Sequence, residues 1–182
     1  MPNSMISISR VQDSILLVET RNIQLFLPLM KDLTELGDRF LLAMLRWCGY
    51  GRPRFRPLRE WHVYVGLLGN EPVGISGLYR ETDIPGDLDW LGWFGVRPAY
   101  RRRGIGLRIL QQTIEISASR NSTRIVLHTD PHGASVHRFY ESAGFRRLGV
   151  SEDVLPESAF DNFDRGDLIF EYRIKPVPNV IL

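Results

Sequence analysis

Cysteine, lysine and long apolar runs are scarce or absent in this chain. Cys48 is its one cysteine, so no disulfide can form within the chain, and a reducing, cytoplasmic setting is expected. Lys31 and Lys175 are its two lysines, which leaves arginine to supply almost all of the positive charge. The sequence has no apolar run of about 18 residues to span a bilayer, and residues 1–10 lack the order of a secretion signal. We therefore expect no membrane partner.

Length and composition are those of a soluble globular protein. Of the 182 residues, 43% are hydrophobic and 24% are charged, and this length suits one domain. We place that domain at residues 13–175, with loose termini at 1–12 and 176–182. The net charge is only +2, so the protein as a whole has no strong positive field that would call for a nucleic acid as its partner.

Apolar periodicity predicts strands and helices in alternation. Strands are predicted over residues 14–19, 60–68, 72–79, 89–96, 124–129, 145–150 and 167–174. Helices are predicted over residues 25–36, 39–48, 104–119 and 136–143. Turns are predicted at 69–71 and 84–86. The alternation indicates an α/β (α+β) fold.

The stretch Arg101-Arg102-Arg103-Gly104-Ile105-Gly106 lies between a predicted strand and a predicted helix. Its two glycines allow a tight turn, and the first turn of a helix carries unpaired N–H donors with a partial positive charge. A phosphate oxygen is the natural acceptor for such donors. Three arginines could simply solvate a helix start, but cations there oppose the helix dipole unless an anion is bound. A pyrophosphate site for an acyl-coenzyme A is therefore our first hypothesis.

Two other phosphate motifs do not fit this loop. A dinucleotide fingerprint G-x-G-x-x-G would need glycine or alanine at Ile109. A P-loop would need the ending G-K-S/T, which occurs nowhere in the chain. What remains is the pattern R-x-x-G-x-G between a strand and a helix.

Two motifs resemble the GNAT N-acetyltransferase superfamily. Residues 96–106 read Val-Arg-Pro-Ala-Tyr-Arg-Arg-Arg-Gly-Ile-Gly and are similar to its acetyl-CoA motif, V/I-x-P-x-Y/F-Q/R-x-x-G-I/V-G/A. Residues 139–145 read Phe-Tyr-Glu-Ser-Ala-Gly-Phe and are similar to its helix end F/L-Y-x-x-x-G-F, at the usual distance. The resemblance covers residues 73–150. It implies a GNAT-like single domain, with a mixed central sheet of about seven strands flanked by helices and with splayed fourth and fifth strands.

The resemblance also implies a co-substrate, acetyl-CoA, and the residues that hold it. The pantetheine arm would pair with the main chain of Phe94, Gly95 and Val96. The pyrophosphate would lie on the loop amides, with an arginine side chain reaching a phosphate through charge-assisted bonds. The residues of this predicted pyrophosphate site are Arg101, Arg102, Arg103, Gly104, Ile105, Gly106 and Leu107.

The catalytic residues are less clearly indicated. Tyr140 resembles the family residue that protonates the coenzyme A thiolate as it leaves, although its place on an apolar helix face equally suits a core tyrosine.

The general base is a separate question. An alkylamine has a reference pKa of about 10.4, so it is mostly protonated at neutral pH and must lose a proton before it can attack. Many relatives use a glutamate on the fourth strand, but residues 89–94 contain none. Asp89 is our candidate base, and ordered water is an equal alternative. Because side chains alternate along a strand, the Asp89 side chain could also point to solvent. Glu60 and His62 are further candidates.

The segment after the fifth strand departs from the family pattern. Gly133 stands where many relatives have an asparagine that binds the pantetheine arm, a contact that His132 or the local backbone could replace. His128, Asp130 and His132 do not predict a metal site, because Pro131 keeps them from sharing one helical face. We expect no metal.

Two charged loops favour different acceptors. Residues 152–167 are acidic and would favour a cationic amine. Residues 51–59 are rich in arginine and could meet the 3′-phosphate of the coenzyme, an acidic acceptor or nucleic acid. Solvation of an exposed loop is the simpler explanation of both. The acceptor stays open between a small-molecule and a peptide amine, as does assembly as a monomer or a homodimer.

We expect an N-acetyltransferase that moves an acetyl group from acetyl-CoA to a primary amine by direct attack in a ternary complex. Cys48 lacks an activating pattern and the chain has no G-x-S-x-G elbow, which argues against an acyl-enzyme. One alternative is a non-catalytic acyl-CoA-binding module of GNAT shape, suggested by the missing strand glutamate. Another is a nucleic-acid-binding domain that uses the arginine loops.

Overall fold

Seven strands and five α-helices make up the described part of the chain, which in this computed structural model is residues 14–50, 58–81, 87–155 and 165–175. Two short 3-10 turns lie at Thr34–Leu36 and Pro98–Tyr100. In chain order the elements are β1 (Ile15–Glu19), α1 (Ile23–Asp32), α2 (Gly37–Trp47), β2 (Leu58–Leu68), β3 (Glu71–Glu81), β4 (Leu88–Val96), α3 (Ile105–Ser119), β5 (Arg124–Thr129), α4 (Ala134–Ser142), β6 (Arg146–Val150), α5 (Ser151–Val154) and β7 (Leu168–Arg173).

The strands form one mixed sheet in the order β1-β2-β3-β4-β5-β7-β6. β1 runs antiparallel to β2, and β7 runs antiparallel to both β5 and β6. β4 and β5 run parallel, and their ladder joins residues 88–90 to residues 124–126. The predicted α/β fold with a mixed sheet of about seven strands flanked by helices is confirmed.

Most predicted elements agree with the structure to within two residues at each end. The predicted helix over 25–36 is wrong at its end, because α1 stops at Asp32 and Leu33 leaves the helical region with φ −105° and ψ 46°. The four-residue helix α5 was not predicted, since one turn is too short to show a period. The predicted turn at 84–86, most of both charged loops and the termini lie outside the described residues.

One compact unit holds the described residues 14–50, 63–76 and 93–112. In its core, Ile105 and Ile109 at the start of α3 are buried with residues of β1 and β3. Gly74 is required by this close approach, because a Cβ there would lie 2.6 Å from the Ile109 Cδ1 and 2.8 Å from the Gly95 carbonyl oxygen. The packing fixes the first turns of α3 against β3.

A second compact unit holds the described residues 58–62, 77–81, 87–92, 113–155 and 165–175. Tyr79 of β3 stacks on Trp90 of β4, with ring centroids 6.2 Å apart. Ile125 of β5 and Phe170 of β7 are fully buried. This core carries the parallel β4–β5 ladder and the antiparallel β5–β7 ladder.

Candidate functional site

β4 has an irregular backbone just before the predicted pantetheine-binding segment. Trp93 has φ 48°, in the left-handed region that a bulky residue rarely adopts. Such a residue within a strand is typical of a β-bulge, which re-aims side chains and interrupts pairing. The parallel ladder to β5 joins β4 through residues 88–90, upstream of Trp93. The splay of β4 and β5 stays a prediction.

The segment Phe94, Gly95 and Val96 is held firmly on one side. Phe94 and Val96 pack against the buried cluster at the start of α3. A Cβ at Gly95 would lie 3.2 Å from the Leu33 Cδ1, so a larger residue would press on the end of α1. This support gives the predicted pantetheine segment a fixed backbone.

The loop before α3 presents its amides without acceptors. Arg102 and Gly104 have φ 57° and 73°, so the chain turns twice through the left-handed region. Among the described residues, the N–H groups of residues 102–107 have no hydrogen-bond acceptor, whereas the Arg108 N–H bonds the Gly104 carbonyl at 3.2 Å. Consecutive unpaired amides at a helix start are what an anion such as a pyrophosphate binds.

The three arginines of this loop differ in their contacts. The Arg101 guanidinium donates to the Val96 carbonyl, with Nε 2.8 Å from the oxygen, and pairs with Glu35. Arg103 lies over the ring of Tyr100, 5.7 Å from its centroid. Arg102 is exposed. Arg101 therefore braces the loop, which leaves Arg102 and Arg103 as the better placed of the three to reach a phosphate.

Arg97 is a supporting residue that sequence reasoning missed. Its Nε donates to an Asp32 carboxylate oxygen at 2.7 Å, and its Nη1 pairs with Glu71 and donates to the Pro72 carbonyl at 2.8 Å. These carboxylates, Asp32 first, raise the pKa of the guanidinium. Arg97 thereby ties the end of β4 to α1 and β3, and nothing local in the sequence distinguishes it from the arginines that follow.

Tyr140 lies in an aromatic cluster on α4. Its ring centroid is 5.3 Å from that of Phe139, 5.5 Å from that of Phe145 and 6.3 Å from that of Phe170. The side chain is buried, and this burial raises the pKa of the phenol above its ordinary value. The structure is compatible with both the core and the catalytic interpretation, and the proton-donor role stays a prediction.

Asp89 is fully buried, so the alternative that it points to solvent is wrong. Its carboxylate accepts hydrogen bonds from the Arg80 Nε at 2.7 Å, the Ser117 Oγ at 2.7 Å and the Ser122 Oγ at 2.6 Å. Burial by itself would raise the pKa of this carboxyl, but these hydrogen bonds and the charge of Arg120 outweigh it and hold the pKa below its usual range. A carboxylate so stabilised is a weak base.

Glu60, a further candidate base, also belongs to this charged network. Its Oε2 lies 2.6 Å from the Arg120 Nη2 and 3.8 Å from the Arg80 Nη1. The Arg80 Nη2 donates to the Arg120 carbonyl at 3.0 Å. His62, on the same strand, is half-buried. The network links β2, β3 and β4 to the end of α3.

A histidine–carboxylate pair lies at the carboxyl end of β5, where sequence reasoning had considered and dismissed a metal site. The His128 Nδ1 is 2.7 Å from the Asp167 Oδ2. The side chains are 31% and 13% exposed. Thirty-nine residues separate the two along the chain, so the pairing depends on the β5–β7 register.

The segment after β5 forms a compact turn. The Asp130 Oδ1 accepts from the His132 N–H at 2.7 Å, and the His137 Nε2 lies 2.8 Å from the Asp130 carbonyl oxygen. His132 is exposed, and Gly133 precedes α4 with an ordinary φ of −80°. Whether His132 replaces the missing asparagine stays a prediction.

The described residues contain no group of three or more His, Cys, Asp or Glu side chains able to hold a metal ion. None of the helices described is long and apolar enough to cross a membrane.

This order of elements, with parallel β4 and β5 and a glycine turn before α3, is that of an N-acetyltransferase fold. The family model for the Acetyltransferase (GNAT) family matches residues 33–145, and the chain belongs to this family. It is 32% identical over 112 residues to N-acetylaspartate synthetase of Danio rerio, covering 60% of this chain and 38% of that protein. It is 31% identical over 109 residues to N-alpha-acetyltransferase RimI of Mycobacterium tuberculosis, covering 57% and 67%. The chain thus spans well under half the length of the synthetase.

Solved structures share the fold. An acetyltransferase from Streptococcus agalactiae superposes with a TM-score of 0.65 at 19% identity, covering 88% of this chain and 98% of that one. An aminoglycoside 6'-N-acetyltransferase complexed with coenzyme A superposes with a TM-score of 0.60 at 19% identity, covering 90% and 99%. These likenesses confirm the GNAT-like single-domain fold.

Proposed function

We propose that this protein transfers the acetyl group of acetyl-CoA to a primary amine by direct attack within a ternary complex. The observation that carries the proposal is the run of amides at residues 102–107 that have no acceptor among the described residues. Family membership supports the choice of ligand. The names of two relatives, N-acetylaspartate synthetase and N-alpha-acetyltransferase RimI, refer to an acetyl group on nitrogen.

The coenzyme would be held mainly by main chain. The pyrophosphate would accept from the amides of Arg102 to Leu107, where the helix dipole favours negative charge. Arg102 and Arg103 would add charge-assisted bonds to phosphate oxygens. The pantetheine arm would pair with Phe94, Gly95 and Val96, whose backbone is braced by α1 and α3.

The reaction needs alignment and proton transfer. The nitrogen lone pair forms a bond to the acetyl carbon, and the carbon–sulfur bond breaks. Holding the thioester and the amine in contact provides much of the rate by itself. Tyr140 would give a proton to the departing thiolate. The phenol is protonated at neutral pH, but burial raises its pKa and so makes it a weaker acid, and the transfer to a thiolate would therefore depend on close positioning of the two groups.

Thiol release from acetyl-CoA tests the proposed function. Aspartate, an alanine-terminated peptide, an aminoglycoside and benzylamine serve as acceptors, and free thiol is measured with a chromogenic disulfide. We expect at least one amine to stimulate release well above hydrolysis. Tight binding of acetyl-CoA without stimulation by any amine would instead support the non-catalytic module, and steeply salt-dependent oligonucleotide binding would support the nucleic-acid domain.

Tyr140→Phe tests the proton donor. The substitution keeps the ring in its aromatic cluster but removes the hydroxyl, so we expect kcat to fall roughly a hundredfold while acetyl-CoA affinity stays the same. Steady-state kinetics and calorimetry measure the two quantities. Phe139→Leu is the control for packing in the same cluster. If Tyr140→Phe keeps kcat within about threefold of the parent protein, the tyrosine is a core residue and not the acid.

A further inference from the structure

The two end strands of the sheet differ in how their outer edges are protected. The described strands end with β1 on one side and with β6 on the other. The outward N–H and C=O groups of an end strand are a template for pairing with a strand of another molecule. β6 carries two exposed arginines, Arg146 and Arg147, and its register shifts between Arg147 and Gly149. Charge and irregularity of this kind discourage such pairing.

β1 is a regular and largely apolar strand. It reads Ile-Leu-Leu-Val-Glu, so its one charged residue is the last. All five residues pair with β2 in an unbroken antiparallel register. The side chain of Leu16 is 60% exposed. An end strand of this kind is expected to associate with other strands unless its edge is covered.

A side chain of α3 occupies the outer edge of β1. The Gln112 Nε2 donates to the Ile15 carbonyl at 2.9 Å, and the Gln112 Oε1 accepts from the Leu17 N–H at 3.0 Å. Alternate residues of a strand direct their backbone groups to the same edge, so both groups belong to the edge away from β2. They are the acceptor and the donor that a further strand would use.

The chemistry of a primary amide suits this position. Its oxygen accepts and its nitrogen donates, side by side, so one side chain satisfies both backbone groups. The same partners fix which end of the Gln112 amide is oxygen, because a backbone N–H can only donate and a carbonyl can only accept. We propose that Gln112 closes the outer edge of β1 and thereby prevents the protein from associating through this strand.

The packing of α3 positions the amide. Gln112 follows Ile109 by three residues, and residues three apart lie on one face of a helix. Ile109 is buried in a cluster with Ile15, and Leu17 packs against that cluster. The contact that holds α3 on β1 therefore also aims the amide at the strand edge. Gln112 is 95 and 97 residues from its two partners along the chain, so no local pattern in the sequence reveals the pairing.

The proposal bears on assembly, which the sequence leaves open between a monomer and a homodimer. Without the Gln112 amide, β1 would present an outward donor and acceptor on a regular apolar strand. The β1 strand of a second copy is then the fitting partner. Two copies of one strand can pair antiparallel about a two-fold axis, and each satisfies the groups of the other.

Gln112→Met tests the proposal in the full-length protein. Methionine is similar in length and in helix propensity, but its side chain has no N–H donor and only a weak acceptor. Analytical ultracentrifugation measures the mass over a wide range of concentration, and circular dichroism checks that the variant is folded. We expect the variant to show a concentration-dependent association that the parent protein lacks.

Gln111→Met is the matched control. Gln111 is the preceding residue of α3, is exposed, and makes no hydrogen bond among the described residues. The control removes an amide from the same helix and adds the same apolar side chain. Its mass should follow that of the parent protein at every concentration. Equal association of both variants would show that an added methionine, and not the open edge, causes it.

Amide hydrogen exchange at Leu17 gives a site-specific readout. The Leu17 N–H is bonded to Gln112 in the parent protein and in Gln111→Met, so its exchange should be slow in both. In Gln112→Met at the lowest concentration we expect exchange about tenfold faster or more, and slowing as the variant associates. Association that leaves this amide fast would mean that the copies meet elsewhere, which overturns the proposal.

Two other results would also overturn it. One is a folded Gln112→Met variant whose mass equals that of the parent protein at every concentration. The other is an unprotected Leu17 N–H in the parent protein, which needs no variant. If Gln112→Met does not fold, Gln112→Asn decides by the same measurements, because its amide is one methylene shorter and does not reach both backbone groups. None of these results depends on the proposed acetyl transfer.

Discussion

Asp89→Asn is expected to lower the free energy of unfolding by about 3–5 kcal/mol. The substitution keeps the size of the side chain but removes the negative charge that faces the Arg80 guanidinium at 2.7 Å. Arg80 is 9% exposed and would be left as a buried cation without its main counter-charge. Urea unfolding followed by circular dichroism at neutral pH measures the loss.

Asp87→Asn is the matched control for that experiment. Asp87 comes two residues earlier and accepts from the Thr123 Oγ1 at 2.6 Å, but it is exposed. Its amide oxygen can still accept that bond, so we expect little change in the urea midpoint. If Asp89→Asn were no more destabilising than Asp87→Asn, the buried network would not stabilise the fold as described.

The same network predicts a dependence of stability on pH. The folded-state pKa of Asp89 is lowered, so its contribution is fully present above the unfolded value of about 3.9. The contribution is lost as the pH falls through the folded pKa. The difference in stability between the parent protein and Asp89→Asn should therefore shrink in acid. A difference that stays constant down to the acid transition would contradict this.

Gly104→Val is expected to weaken acetyl-CoA binding about a hundredfold or more. Gly104 has φ 73°, and nothing lies within 4 Å of a Cβ built there, so the effect comes from the backbone angle and not from a clash. A β-branched residue resists that angle and would turn the loop amides away. Each hydrogen bond to a charged oxygen contributes about 1.5–3 kcal/mol, so the loss of two such bonds gives this magnitude.

Gly69→Val is the matched control for Gly104→Val. Gly69 has φ 61° in the turn between β2 and β3, and again nothing lies within 4 Å of a Cβ there. Both variants should lose similar stability, about 1–3 kcal/mol, because both force a valine into a left-handed backbone. Calorimetry should show weakened acetyl-CoA binding for Gly104→Val alone. If the two variants bound acetyl-CoA with equal affinity, the loop before α3 would not be the coenzyme-binding site.

Local patterns were sufficient to predict most of the fold. Strand alternation and the helical period placed all seven strands and three of the four predicted helices to within two residues. They failed at the end of α1, where Leu33 keeps an N–H bond to the Leu29 carbonyl at 2.8 Å and yet leaves the helical conformation. A single residue that turns the chain in this way leaves the apolar period intact, so the sequence shows no break there.

The candidate site was predictable only where its chemistry is local. The glycine turn before α3 could be predicted from residues 101–106 alone, because backbone conformation and helix start are encoded there. The partners of Asp89 and His128 could not, since Ser122 and Asp167 are 33 and 39 residues away from them along the chain. Which residues meet at such distances depends on strand order and register, and these become visible only in the folded sheet.

The amide resonances of residues 102–107 offer the most direct test of coenzyme recognition. In a nitrogen–proton correlation spectrum of the labelled protein, acetyl-CoA is added until binding saturates, and S-acetylpantetheine, which lacks the pyrophosphate, is added in a parallel sample. We predict large downfield shifts of these amides with acetyl-CoA and small ones with the truncated compound, because charge-assisted hydrogen bonds form only in the first case. If the amides stay unmoved at saturation while signals elsewhere shift, the coenzyme binds at another place and the account is wrong.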